Sequence, residues 1–543
     1  MDAVTSVPLP VNEPIRSYAP GSAERASLEA RIAELAAEQI DLPMTIGGAS
    51  RMGGGEPIDV VQPHRHAAVL GTTRDATTSD VQDAVDASLE AAPDWRAASY
   101  DDRAGVLLRA AELLAGPWRD TLNAATVLGQ SKSVLQAEID AACELIDFLR
   151  FNVAFGRQVL EEQPISSPGV WNRMDHRPLE GFVLAITPFN FTAIAGNLPL
   201  APALMGNTVV WKPSPTQQLS AHFTMRLLEA AGMPPGVVNL VTGNGGAVSD
   251  VAVPHPELSG IHFTGSTATF QHLWQTVAKG LPSYRSYPRL VGETGGKDFV
   301  LAHPSADPAT LEIALVRGAF EYQGQKCSAA SRAYVPRSLW DGGLRDAVAD
   351  RVRSLTYGDV TDLSNFGGAV IDRRAFDRLA AVVRGAADDP ALEVLAGGTA
   401  DDRVGFFVDP TVLVGEDPTH EVFSQEYFGP VLAVHVYDDA KWDAVLDLVD
   451  SSTPYALTGA VIADDPYAVA QATERLRFTA GNFYVNDKPT GAVVGQQPFG
   501  GARQSGTNDK AGSVLNLLRW TSPRTLKTTF VPPRDHTYPH MGA

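Results

Sequence analysis

The runs GFVLAIT (181–187), NTVVWK (207–212), VVNLV (237–241), GIHFT (260–264) and RLVGE (289–293) decide the fold. Each is short and β-rich, and helix-compatible sequence fills the intervals between them. That alternation predicts βαβ units in a mostly parallel sheet, whose ligands gather at the C-terminal ends of its strands. A second series starts near Asp298: helical LEIALVRGAF (311–320), strand-like RAYVP (332–336), a helix near Leu344, then FVDPTVLV (407–414), VLAVHVY (431–437), LTGAVIA (457–463) and NFYVN (482–486). It predicts a second α/β domain.

Upstream, the chain to about Ala154 reads as mostly helical behind a proline-rich arm. Ser22 is expected to cap AERASLEARIAELAAEQI (23–40), and Ser79 a helix in which Val81, Ala84, Val85 and Leu89 keep helical spacing. Beyond Gly506, RTLKTTFV (524–531) is a lone β-rich terminus with two readings: local pairing, or completion of another subunit's sheet.

At 543 residues, roughly three to four domains' worth, the chain can bury proper cores without staples. Forty-four per cent hydrophobic and 20% charged residues exclude a disordered chain. The net charge of −20, with no long Lys/Arg run, argues against nucleic acid or anionic lipid as a partner. No stretch has the ~20 apolar residues of a membrane span, and early prolines and acidic residues replace a signal peptide, so a cytoplasmic protein is expected. Only Cys143 and Cys327 are present, too few for a disulfide framework. His64 and His66 lack neighbouring carboxylate or cysteine ligands, so the segment reads as a solvated loop and no metal site is expected.

Chemistry concentrates elsewhere. In EYQGQKCSAASR (321–332), Cys327 follows a glycine-containing run and precedes small polar residues; Lys326 and nearby backbone N–H groups should ease its ionisation. It reads as a nucleophile or a packed thiol, whereas Cys143 lies on an apolar helix face and reads as core. Glu293 leaves a strand into a Gly-Gly turn, and its separation from Cys327 lets one helix intervene and return the cysteine to the same end of the sheet. The glutamate is a base or a hinge residue. Asn190, in TPFNF (187–191), follows a strand and is either an oxyanion donor or a turn residue. VTGNGGAVSD (241–250), with Gly245, and HFTGSTATF (262–270), with Gly265 and Ser266, are glycine-bearing strand-to-helix junctions suited to phosphate, though neither is a complete GxGxxG. Lys212 closes another strand, within reach of a ribose or phosphate or simply solvated.

Taken in order, TPFNF, GNTVVWKPS, FTGS, ETGGKD, GQKCSA, EYFGPVL and PFGG make the chain resemble the NAD(P)-dependent aldehyde dehydrogenase superfamily over nearly its whole length. The resemblance implies an α/β aldehyde dehydrogenase fold: a Rossmann-like cofactor domain (1–158 and 181–292), an α/β catalytic domain (293–505), and a small β oligomerisation flap (159–180 and 506–543). It implies Cys327 as nucleophile, Asn190 as oxyanion donor with the Cys327 N–H, and Glu293 as base for the deacylating water. Lys212 and Glu426 would hold the two riboses, with Ser266 near the pyrophosphate and Phe428 beside the nicotinamide. Phe189, Gly245, Phe263 and Gly265 complete the implied cofactor site.

The segment NDKPTGAVVGQQPFGGARQSGTNDKAG (486–512) and QKCSA (325–329) further resemble the L-glutamate γ-semialdehyde (1-pyrroline-5-carboxylate) dehydrogenases of proline catabolism. By that resemblance Gly491 and Ala492 offer N–H groups, and Ser328 a hydroxyl, to the substrate α-carboxylate. Phe191 and Phe499 would pack on its aliphatic part, and Lys326 would pair with Glu144. The other dehydrogenase reading is a different ω-semialdehyde, such as succinic semialdehyde; a non-catalytic binding relative is the third. Pro215 stands where many family members carry a ribose-binding glutamate, so NAD is the cofactor expected from the closer relatives. Phe270 replaces a usual glycine and implies a differently packed helix start. The resemblance also implies a homo-oligomer, dimer or higher, and functional pairing with a proline dehydrogenase.

Overall fold

The computed structural model describes residues 4–542; positions 1–3 and 543, the extreme ends of the expected cofactor and flap segments, lie outside the described residues. The five runs that open the sequence reading form adjacent parallel strands in a seven-stranded sheet. Their order is Arg289–Glu293, Leu258–Thr264, Phe182–Ile186, Thr208–Lys212, Val238–Leu240. The chain works outward from Phe182–Ile186 on one side and then returns to its other side at Leu258–Thr264. The reversal leaves a crevice at the C-terminal ends of these two strands, which release TPFN and GS respectively.

The second series builds another seven-stranded sheet, parallel except for its edge strand Leu392–Ala396. Asp298–Ala302 and Ala330–Pro336 are paired at its centre. FVDPTVLV is not one strand: Pro410 has no N–H to give a ladder, and the run divides into Phe407–Val408 and Thr411–Gly415 in different sheets.

Several expectations need correction. The first part is mostly helical, as expected, but it also carries strands: Ile40–Asp41, Pro57–Gln62 and Arg65–Arg74 form a three-stranded sheet, and Met44–Ile46 with Ala49–Arg51 extends the first large sheet. Ser22 caps Ala23–Ala37 as expected, accepting from the Arg25 N–H. The next helix, Thr78–Ala97, is capped by Thr77 rather than Ser79; Asp80 reciprocates in a capping box, satisfying two donors that a serine already inside the first turn could not. His64 is no solvated residue: it is buried, with Nδ1 3.2 Å from the Ser131 hydroxyl, and burial pulls its pKa down to about 4. The C-terminal strand Thr521–Thr529 pairs antiparallel within its own chain, with Val170–Pro178.

Phe270 is accommodated by its neighbours. Its ring stacks on Phe263 at 5.4 Å, and a Cβ on Gly292 would lie 2.3 Å from it. Gly292→Ala should therefore overpack this point and cost about 1–3 kcal/mol, read as a lower urea midpoint at unchanged slope.

Candidate active site

The segment ETGGKD is the crossover between the two large sheets. Glu293 ends a strand of the first, and Asp298 begins a strand of the second. Two glycines fit between them because a Cβ on Gly295 would lie 1.9 Å from a Glu426 carboxylate oxygen and one on Gly296 2.4 Å from an Asp298 carboxylate oxygen; the Gly296 N–H donates to Glu426 at 2.7 Å. Contrary to expectation, Cys327 does not return to the end of the Glu293 sheet. It precedes Ala330–Pro336 in the second sheet, so the C-terminal edge of one sheet faces the N-terminal edge of the other.

The turn before the cysteine is built in advance. Tyr322, Gln323 and Gly324 all have positive φ (50°, 52° and 63°), and Gly324 is required because a Cβ there would meet the Gly429 carbonyl oxygen at 2.3 Å. Gln323 fixes the turn by donating to the Ser131 and Ala369 carbonyls at 2.9 and 2.8 Å. The Asn190 side-chain amide donates to the Gln325 carbonyl at 3.0 Å, two residues before the thiol. Cys327 lines a cavity of about 10 Å³ with Lys297, Glu426 and Phe428, room for about one water.

The thiol's electrostatics differ from expectation. Lys326 turns its ammonium to Glu321 at 3.0 Å, not to Glu144, because the turn places Glu321 five residues back on the same side; its charge is spent there. Burial pushes the Cys327 pKa up, and the carboxylates of Asp298, Glu426, Glu293 and Glu144 add to the rise. The thiol of the ligand-free protein is thus protonated at neutral pH. Its alkylation by iodoacetamide should keep accelerating beyond the ~8.5 of an ordinary thiol; a rate that levels off below that would contradict this.

Glu293 accepts from the Gly501 N–H at 2.8 Å; burial holds its pKa well above the carboxylate range, against that hydrogen bond, with Asp509 adding to the rise. Glu144 is pushed up to about 8 by burial and Asp140. Glu426 is raised to about 7 by burial, which also draws neighbouring Lys297 down to about 7.

At the crevice, Asn244 caps the helix Gly245–Ala252 by accepting from the Gly246 N–H, and Ser266 caps Thr267–Gly280. Lys212 reaches the first of these helix starts: its Nζ is 3.2 Å from where a Cβ on Gly245 would sit, and burial lowers its pKa to about 8 against the Asp75 charge. Absent side chains at Gly245 and Gly265, with two helix starts and a lysine, make a cradle that suits a dinucleotide's pyrophosphate. Phe263 lies in the core below, 2.7 Å from where a Gly265 Cβ would be. Phe189 and Phe428 meet edge to face at 5.8 Å.

On the opposite side, the Ser328 hydroxyl lies 2.8 Å from that of Thr490, so Gly491 (φ +99°) and Ala492 follow directly beside the nucleophile's neighbour. Phe499 is held by paired backbone bonds to Ala511. Phe191 carries the Lys132 ammonium 4.0 Å from its ring centre. Lys132 pairs with Asp140 at 2.6 Å, and Asp140 accepts the first N–H groups of helix Thr192–Leu204. Sequence reading missed Lys132, Asp140, Tyr322, Lys297 and Asp298. QSKS and EID carry no local signal, whereas Lys297 and Asp298 adjoin the quoted Gly-Gly turn and were within reach.

The aldehyde dehydrogenase family profile matches residues 51–526. The chain is 49% identical over 533 residues to a probable delta-1-pyrroline-5-carboxylate dehydrogenase of Schizosaccharomyces pombe, covering 97% of each. It is 45% identical to the human mitochondrial delta-1-pyrroline-5-carboxylate dehydrogenase, covering 98% of this chain and 94% of that one. A crystal structure of the Mycobacterium tuberculosis delta-pyrroline-5-carboxylate dehydrogenase bound with NAD is similar over 100% of both chains, at 64% identity and TM-score 0.97.

Proposed function

The chain belongs to the aldehyde dehydrogenase family, and from that premise we propose that it oxidises L-glutamate γ-semialdehyde to L-glutamate with NAD, the second step of proline degradation. One observation carries the substrate choice: the Ser328–Thr490 contact puts a hydroxyl and the Gly491–Ala492 backbone together, a short reach from Cys327. A carboxylate needs several fixed donors, and a methylene chain needs apolar walls such as Phe191 and Phe499.

In this reading Cys327 first loses its S–H proton to solvent water; the thiolate sulfur then bonds to the aldehyde carbon, the C=O π pair moves to oxygen, and the resulting oxyanion faces the Asn190 amide and the Cys327 N–H. NAD, when bound, supplies the hydride acceptor. Collapse of the oxyanion restores the C=O and leaves a thioester on Cys327. Water then attacks the acyl carbon as Glu293 takes its proton, and the carbon–sulfur bond breaks to release the acid. The Gly501 N–H bond holds the Glu293 carboxylate in place for that proton transfer, and burial raises its basicity above that of an ordinary carboxylate. Lys212, Gly245, Gly265, Ser266, Glu426, Phe189 and Phe428 are assigned to the cofactor, with Phe263 supporting its cradle; Glu144, Lys326, Ser328, Gly491, Ala492, Phe191 and Phe499 are assigned to the substrate side.

The domain division 1–158 with 181–292, 293–505, and 159–180 with 506–543 is part of this reading. Sheet membership supports it, although the Pro63 and His66 backbones also bond to Phe406 and Val404 in the catalytic part. The ribbon Val170–Pro178 with Thr521–Thr529, exposing Trp171, fits a homo-oligomer contact. A proline dehydrogenase is the natural supplier of substrate. Among the described residues no helix is long and apolar enough to cross a membrane. The cytoplasm is our reading for location, although the human relative is named mitochondrial.

The test is kcat/KM for glutamate γ-semialdehyde and succinic semialdehyde, each with NAD and NADP. Glutamate γ-semialdehyde with NAD should lead by at least about tenfold, the weight of one or two fixed carboxylate donors. Preference for succinic semialdehyde would reject the substrate assignment.

A further inference from the structure

A second cavity, of about 460 Å³, opens between the N-terminal arm, the first helix and the helix Pro308–Phe320. It is separate from the cysteine's cavity and no step above uses it. Its size is that of a small-molecule site.

Its lining is unusually rich in unspent donors. Gln136 is only 8% exposed, faces the cavity and has no hydrogen-bond partner in the protein. Its amide is open to the cavity rather than sealed in the core, so it is free to bond an occupant. The hydroxyls of Ser17 and Ser133 also line the cavity without protein partners, and Ser133 precedes a helix start without capping it. Arg25 and Arg317 bond to Glu29 and Glu321 through Nε alone, leaving their terminal guanidinium nitrogens unbonded. Leu363 and Phe366 supply an apolar wall on the same cavity.

Two free guanidinium forks, two hydroxyls and an amide around one space match the several acceptor oxygens of a phosphate, and the apolar wall leaves room for an organic group attached to it. We propose that this cavity is a binding site for a small phosphomonoester, held by Arg25, Arg317, Ser17, Ser133 and Gln136. Glu321, on its floor, joins Arg317 at 2.7 Å to Lys326 at 3.0 Å, so an occupant that draws Arg317 away acts on the residue next to the nucleophile.

The experiment is calorimetric titration of the full chain, saturated with NAD so that the cofactor crevice is filled, with inorganic phosphate and with phenyl phosphate at constant ionic strength. Both should bind, phenyl phosphate more tightly. Arg25→Gln, on an exposed helix face, and Gln136→Leu should each weaken both at least tenfold without changing NAD affinity. Absence of binding to the unsubstituted chain at 20-fold excess over the millimolar range, or binding that neither substitution weakens, would overturn the proposal. The second outcome would place the phosphate elsewhere, at the substrate carboxylate site or the crevice.

Discussion

Cys327→Ala should lower reduced-nicotinamide formation from glutamate γ-semialdehyde by on the order of 10⁴-fold or more, with NAD affinity unchanged. The size follows from the role: without the sulfur no covalent adduct forms, and a bound aldehyde hydrated by water is the only remaining hydride donor. Folding should survive. The thiol borders a small cavity, and its removal deletes one sulfur from a turn held by Gln323 and Gly324, not by Cys327 itself. Absorbance of the reduced cofactor measures the rate, and quenching of protein fluorescence measures NAD binding. A variant that turns over within tenfold of the parent would end the covalent mechanism.

Glu293→Gln should separate the two halves of the reaction. A glutamine still accepts the Gly501 N–H bond, so the strand end stays in place, but it cannot take a proton from water. General-base loss typically costs about 10²–10⁴-fold, and here it should fall on hydrolysis of the thioester rather than on hydride transfer. Rapid mixing should give a burst of up to one reduced nicotinamide per site followed by a slow phase, and intact-protein mass spectrometry should find the acyl group on Cys327. A steady rate equal to the parent's, with no acyl-protein, would exclude Glu293 as the base.

Much of the site was legible because its parts are local signals. Gly295 and Gly296 form a Gly-Gly turn just past one strand end, Asn190 lies four residues past another, and Ser266 is a cap; each needs only its near neighbours in the chain to be recognised. The second partner of each interaction was harder. The expectation that Lys326 would aid the thiol failed because its ammonium is committed to Glu321, while four carboxylates from three separate segments act on the sulfur. His64 failed likewise: a histidine flanked by Arg65 and Pro63 looks solvated until residues near 131 and 359 close over it.

Sequence alone therefore determined most of the strand series, the two alternating α/β series and which groups are candidates for the chemistry, since period, turn chemistry and residue type are properties of short segments. Tertiary structure alone decided which sheet carries Cys327, which carboxylate takes Lys326, and that the free thiol is held protonated. Those depend on burial and charge summed over atoms from distant parts of the chain, and the cost of removing a charge from water is set by everything packed around it, not by its neighbours in sequence.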